Sequence, residues 1–280
     1  MLFMSIKTLL VHLAPDPDRE TRLKAAVGIA KQLDAHLIAL YVAMPVHMPA
    51  GAEGRGASSL YLHEARTAAK EKAGAVEAHV RDVCDAAGIS WEWVYGEEDH
   101  LEHLLEEVYH ADLTVLNQVS FDNFEDRLIY QLPEKLVMGA GGPVLVLPKG
   151  MDQVDLKSFD TVLIAWTYTK EAIRALRDSL PMIENAKSVK LFTCGKAPKV
   201  GEDLAKPVLE YLARRGIKAD HINHSKSGHA GEEILDLAEE VKADMIVMGA
   251  YGHSSMLDRL FGSASRYVIG HANVPLLMSH

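Results

Sequence analysis

Apolar residues fall along this chain in two alternating rhythms. Short, mostly apolar runs bounded by turn residues read as buried strands. The stretches between them, where apolar positions return every three or four residues, read as amphipathic helices. In the first half this predicts strands over Thr8–Leu13, Ala35–Val42, Ser90–Tyr95, Asp112–Leu116 and Pro143–Leu147, with helices near Arg19–Leu33, Tyr61–Ala87, Leu101–His110 and Glu125–Met138. In the second half it predicts strands over Thr161–Trp166, Ser188–Thr193, Lys218–Asn223, Asp244–Met248 and Val274–Met278, with helices near Glu171–Leu180, Lys206–Gly216, Gly231–Val241 and Ser263–Gly270. Such alternation predicts parallel sheets whose helical crossovers cover both faces.

The rhythm is a repeat. Ala111–Leu116 returns as Ala243–Met248, Asp126–Leu128 as Asp258–Leu260, and the strand at Pro143 as the one at Pro275, each at a separation of 132 residues. The first strands, Thr8–Val11 and Thr161–Ile164, stand 153 residues apart, so the first half is 21 residues longer in its middle. Most of that excess is placed at Met44–Ser59, whose proline, glycine and alanine content reads as a loop, either a lid or a disordered excursion. Lys149–Phe159 is the polar connection, which divides the chain into expected domains 1–150 and 151–280.

One stretch carries candidate chemistry. Gly249 and Gly252 follow a predicted strand, and Gly262 and Ser263 open a predicted helix, giving G-x-x-G-x9-G-S. Glycine lets backbone approach a ligand closely, and the free N–H groups of a helix start favour an anion. Ser265 adds a hydroxyl at the same end, and His253, directly after Gly252, is a further candidate contact. This segment, with its flanks Ala243–Gly249 and Asn273–Pro275, resembles the nucleotide-binding signature of the universal stress proteins. The resemblance extends over the whole chain as a tandem member. It implies two doubly wound, five-stranded parallel-sheet domains of the adenine-nucleotide α-hydrolase-like class, packed as an internal pseudo-dimer, with a homodimer left open. It also implies ATP as ligand, with or without Mg²⁺, and a role in stress resistance through a nucleotide-dependent conformation or an unknown protein partner. Hydrolysis is expected to be slow and incidental, with no catalytic residue. The family's acidic residue after the first strand is replaced by Thr167, read as matching Leu13 in the first half; Thr167 is left as the adenosine-side contact.

The repeat serves as its own control. At the positions of Gly249, Gly252, Gly262 and Ser263 the first half has Asn117, Ser120, Tyr130 and Gln131, and Asp122, Glu125 and Asp126 add negative charge. Nucleotide is therefore expected in the second half only, and the first reads as a degenerate copy. Asp126-Arg127 persists opposite Asp258-Arg259, so those residues read as scaffold. Arg266 faces Glu134 in the repeat and is the better phosphate partner. An alternative of another class is a ligand-sequestering or interaction protein that needs no nucleotide.

Composition narrows this picture only a little. The formal net charge of -10 argues against nucleic acid or an anionic membrane as the main partner. No run approaches membrane-spanning length, and the strand-like N-terminus has no charged leader, so the cytoplasm is the expected location. Cys84 and Cys194 lie outside any C-x-x-C and read as small buried hydrophobes. His100 and His103 share a helix face, but a solvated helix end is the expectation there and no metal is assigned. His221 and His224 fall on opposite faces of a strand, and Trp166 reads as core rather than as a base-stacking ring.

Overall fold

The computed structural model describes residues 5–44, 55–97, 99–119, 131–151, 159–194, 205–224, 229–250 and 264–280. Ten strands form one sheet: β1 Thr8–Leu13, β2 His36–Ala43, β3 Trp91–Glu97, β4 Leu113–Asn117, β5 Val144–Leu147, β6 Thr161–Ala165, β7 Ser188–Cys194, β8 Ala219–His224, β9 Met245–Gly249 and β10 Leu276–Ser279. Their spatial order is β3-β2-β1-β4-β5-β10-β9-β6-β7-β8. Each half therefore has the order 3-2-1-4-5, and every pairing within a half is parallel. Among the described residues the one antiparallel pairing is the seam, where Leu276, Leu277 and Met278 face Val146, Leu145 and Val144. The expected pair of five-stranded parallel sheets is present, joined edge to edge.

The helices are α1 Arg19–Leu33, α2 Arg55–Ala87, α3 His100–Glu107, α4 Leu132–Gly139, α5 Lys170–Ile183, α6 Lys206–Ala213, α7 Ala230–Glu240 and α8 Ala264–His271. A parallel strand pair needs a crossover, and in each half the first two helices lie on one face of the sheet and the last two on the other. One apolar core lies under α1, α2, α5 and α6; the other lies under α3, α4, α7 and α8. The inner strands are buried on both faces, which is why they read as continuous apolar runs. The outer strand β8 is polar and partly exposed, a composition that discourages further strand addition.

The seam removes two apolar edges that would otherwise be exposed. Side chains reinforce it: Gln118 Nε2 donates to the Ala272 carbonyl beyond α8 (2.8 Å), and Arg174 of α5 donates to the Gly141 carbonyl in the first half. The shared Ala-Asp pair also has a physical reason. Asp112 Oδ2 accepts from the Lys7 and Thr8 backbone N–H groups (2.8 and 3.0 Å), and Asp244 Oδ2 accepts from Thr161 N–H (2.7 Å). Each aspartate thus pins the start of its half's first strand to the start of the fourth.

Two boundaries differ from expectation. Residues 55–59, read as loop, belong to α2, which runs unbroken from Arg55; the rest of that stretch, 45–54, lies outside the described residues. Of the helix expected over Glu125–Met138, residues 125–130 lie outside the described residues; the described part starts at Leu132 and runs to Gly139, with Pro133 in its first turn, where a missing N–H costs little.

Replacing Asp112 or Asp244 with alanine should lower unfolding free energy by about 1 kcal/mol, since the bonds are charge-assisted but near solvent. Urea denaturation should place Asp112→Ala below Asp244→Ala, because it loses two N–H partners rather than one.

Candidate functional site

In each half the chain leaves its first strand toward one face of the sheet and its fourth strand toward the other. A crevice opens at such a reversal, beyond the carboxyl ends of the strands. In the second half β6 and β9 flank it. Trp166, Thr167 and Thr169 follow β6, and Gly249 and Ala250 end β9. Thr167 is exposed, with its hydroxyl oxygen 3.3 Å from that of Thr169. Thr169 caps α5 by accepting from Ala172 N–H (3.3 Å). Trp166 is buried in the core, as expected from a strand tryptophan, and meets Tyr168 edge-on.

Gly249 has a structural account of its own. A Cβ there would fall 2.6 Å from the Glu171 carbonyl carbon and closer still to the Ala172 nitrogen. The first turn of α5 alone requires a glycine at this place. Ser265 is buried in the first turn of α8, and Arg266 beside it is exposed. Gly252, His253, Gly262 and Ser263 lie outside the described residues, as do Ser120, Asp122, Glu125, Tyr130 and the pairs Asp126-Arg127 and Asp258-Arg259.

The first half fills the equivalent crevice with its own side chains. Strand register aligns Leu9 with Val162, since they pair with Leu113 and Met245. Arg22 then corresponds to Ala175, His12 to Ala165, Asp16 to Thr169 and Asn117 to Gly249. This register also corrects the match proposed for Thr167: its partner is Ala14, one residue beyond Leu13. Arg22 is 2% exposed, and every acceptor around it is supplied by the chain. Its Nε donates to the His12 carbonyl (2.5 Å), Nη1 to Asn117 Oδ1 (2.8 Å), and Nη2 to Asp16 Oδ2 (2.6 Å). Asn117 Nδ2 in turn donates to the Pro148 carbonyl (3.1 Å).

His100 is not a solvated helix end. It is 4% exposed, and its Nδ1 lies 2.8 Å from Nε2 of the equally buried His12. Asp99, not His100, caps the helix, accepting from Leu101 and Glu102 N–H. His103 is turned to the Glu97 backbone, so the two histidines share no ligand. Among the described residues no group of three metal-ligating side chains occurs. Cys84 is buried, its thiol pushed up to about 11 by burial, whereas Cys194 is exposed at the end of β7, against expectation.

Comparison with known proteins agrees with this architecture. Residues 184–280 match the model of the universal stress protein family. Residues 184–280 belong to that family. Universal stress protein MJ0531 of Methanocaldococcus jannaschii is 33% identical over 78 residues, covering 28% of this chain and 45% of that protein. Universal stress protein G of Shigella flexneri is 40% identical over 55 residues, 20% of this chain and 38% of its own. The chain thus spans less than half the length of these curated relatives. The crystal structure of a universal stress protein from Archaeoglobus fulgidus matches over 100% of this chain and 98% of its own, with 20% identity and a TM-score of 0.76. That likeness concerns the fold: two universal-stress-type sheets within one chain.

The second half also holds a carboxylate that pattern reading missed. Glu171, in the first turn of α5, is 4% exposed. Burial works to raise its pKa, but hydrogen bonds from its own backbone N–H and from Thr169, with the Lys170 charge, outweigh it and hold the carboxyl below its usual value. Its signal was present as an acidic residue two places after the capping Thr169. Among the described residues, no helix is long and apolar enough to cross a membrane.

Two predictions follow from the filled crevice. Arg22→Ala strands Asp16 and Asn117 and leaves a cavity, so it should cost about 3–5 kcal/mol in urea denaturation. The second concerns pH. Burial lowers the pKa of His12 well below its ordinary value and pushes His100 down to about 4; Arg22 adds to both effects. A folded pKa below the unfolded value means that the unfolded chain takes up the proton first. Stability is then complete above the ordinary histidine value of about 6.5 and declines as pH falls toward about 4, by up to about 1.4 kcal/mol per unit for each ring. Thermal melts across this window should show the decline, and His12→Leu/His100→Leu should flatten it.

Proposed function

We propose that the second half, 151–280, binds an adenine nucleotide in the crevice beyond β6 and β9, and that the first half, 1–150, is a degenerate copy that holds none. The observation carrying this reading is the exchange of crevice contents between equivalent positions. His12, Arg22 and Asn117 occupy the first crevice, and Ala165, Ala175 and Gly249 stand at those places in the second. A crevice emptied of side chains at a topological switch point is where α/β sheets take ligands.

In this reading the phosphates of ATP, with or without Mg²⁺, lie on the backbone of Gly252, Gly262 and Ser263. Ser265 and His253 assist, and Gly249 shapes the turn against α5. Thr167 faces the adenosine side, where its hydroxyl offers one hydrogen bond in place of a carboxylate. No group is assigned a catalytic role. Binding then acts through the conformation of the loop between β9 and α8, read by a partner protein.

Calorimetry with ATP and Mg²⁺, together with nucleotide analysis of the purified protein, tests this. The expected result is one equivalent bound per chain, abolished by Gly262→Asp, whose carboxylate would meet phosphate. Absence of binding in the parent chain, or equal binding by Gly262→Asp, overturns the assignment and favours a ligand other than nucleotide.

A further inference from the structure

The repeat diverges a second time, on the helical face of the sheet and away from the crevice. In the first half α3 and α4 close directly on each other: Leu105 packs onto Gly139, where a Cβ would fall 2.8 Å from the leucine Cδ2. The residue equivalent to Gly139 in α8 is His271, and the one equivalent to Lys135 is Tyr267. These two rings stack with centroids 4.3 Å apart and planes inclined by 18°. His271 Nδ1 donates to the Tyr267 carbonyl (2.8 Å). Tyr267 reaches α7 over Gly231, whose missing Cβ would lie 2.9 Å from the ring. Beside this contact α7 and α8 enclose a cleft of about 510 Å³.

The cleft has a defined chemistry. Leu235 and Val274 contribute apolar surface above the buried Ala238 and Ile246, and Tyr267 supplies an aromatic wall. Glu232, Asp236 and Glu239 line it from one face of α7, all three exposed. Among the described residues none of these carboxylates is in an ion pair, and Lys242 is the only lysine or arginine in the lining. Like charges at this spacing destabilise a helix, and those in its last turns also oppose its dipole. The arrangement is unfavourable by itself and becomes favourable once a cation enters.

We propose that this cleft docks a basic segment of a partner protein, with an arginine or lysine side chain set against Tyr267 and between the α7 carboxylates. The volume accommodates a few side chains, so the segment is short. A guanidinium on the ring face and two carboxylates within reach combine cation–π and charge-assisted contacts. The aliphatic stem of the same side chain covers Leu235 and Val274. In the first half Gly139 and Leu105 are in contact at the equivalent place, so one segment is expected to bind per chain. Docking here is independent of the nucleotide reading, because the cleft shares no residue with the proposed phosphate loop.

The test uses the full chain and a fluorescein-labelled octapeptide of alternating arginine and leucine, read by anisotropy. The expected result is saturable binding that weakens about tenfold or more in Glu232→Gln/Asp236→Asn/Glu239→Gln and in Tyr267→Lys. Glu64→Gln/Glu71→Gln/Asp82→Asn on α2, which removes the same charge elsewhere, should change it by less than about twofold. Circular dichroism confirms that each variant is folded, and Gly262→Asp should bind the peptide as the parent does. Equal weakening by the two charge-removing triples would mean a diffuse effect of net charge and overturn the proposal. Full displacement by equimolar spermine would also overturn it, in favour of a small organic cation.

Discussion

A guanidinium taken out of water must be given acceptors by the chain that buries it. Arg22 is 2% exposed, and the first half is arranged around that obligation. An unpaired charge in such a place would cost several kcal/mol, which no small domain can absorb. The acceptors come from four places in the sequence: the His12 carbonyl at the end of β1, Asp16 before α1, Asn117 at the end of β4, and through it Pro148 after β5. Together they occupy the space that an α/β sheet otherwise leaves open to a ligand. The buried histidine pair closes the same region from α3. In this half internal structure stands where α/β sheets hold their ligands.

The second half solves the same packing problem with less material. Alanine at 175 and glycine at 249 let α5 come down on β9, until the helix backbone itself sets the size of residue 249. The opposite exchange occurs beneath the other face of the sheet. There the first half uses glycine at 139 to bring α3 and α4 together, and the second uses His271 and Tyr267, with a cleft beside them. Protein interiors tolerate little empty volume, so side chains lost at one position are matched by helix movement or by bulk nearby. One sheet topology thus carries two different packings, with polar side chains in one half where the other has alanine and glycine, and a direct helix contact in one where the other has a cleft.

Much of this was legible from the chain alone, for physical reasons. Strand–helix alternation is written in hydrophobic period, and a repeat at constant spacing multiplies that signal. The repeat also aligned Asp112 with Asp244 without giving them a role; Asp112 holds two backbone N–H groups at the start of β1 and Asp244 one at the start of β6. What escaped was the inside of the first half. A charged residue at a helical position such as Arg22 reads as solvent-facing, because burial of charge depends on partners distant in sequence. His100 reads as a polar helix end for the same reason, its partner His12 being 88 residues away. Matching Thr167 to Leu13 departed by one residue from the 153-residue separation of the first strands, which already gives Ala14, and the pairing with β4 and β9 agrees with that separation.

Divergence of this kind follows from tethering. When two separate copies of a chain form a symmetric pair, every substitution appears in both, so a residue such as Arg22 would fill both crevices at once. Joining the copies in one chain makes the antiparallel contact of β5 and β10 intramolecular, held at high effective concentration even as the two halves change. The strands of that seam have stayed short, apolar and fully buried in both halves. The positions free to differ are those beyond the carboxyl ends of the strands and on the helical flanks, where a change alters a surface without breaking the sheet. In such a molecule each half steadies the other through the shared edge, whatever changes beyond the strand ends.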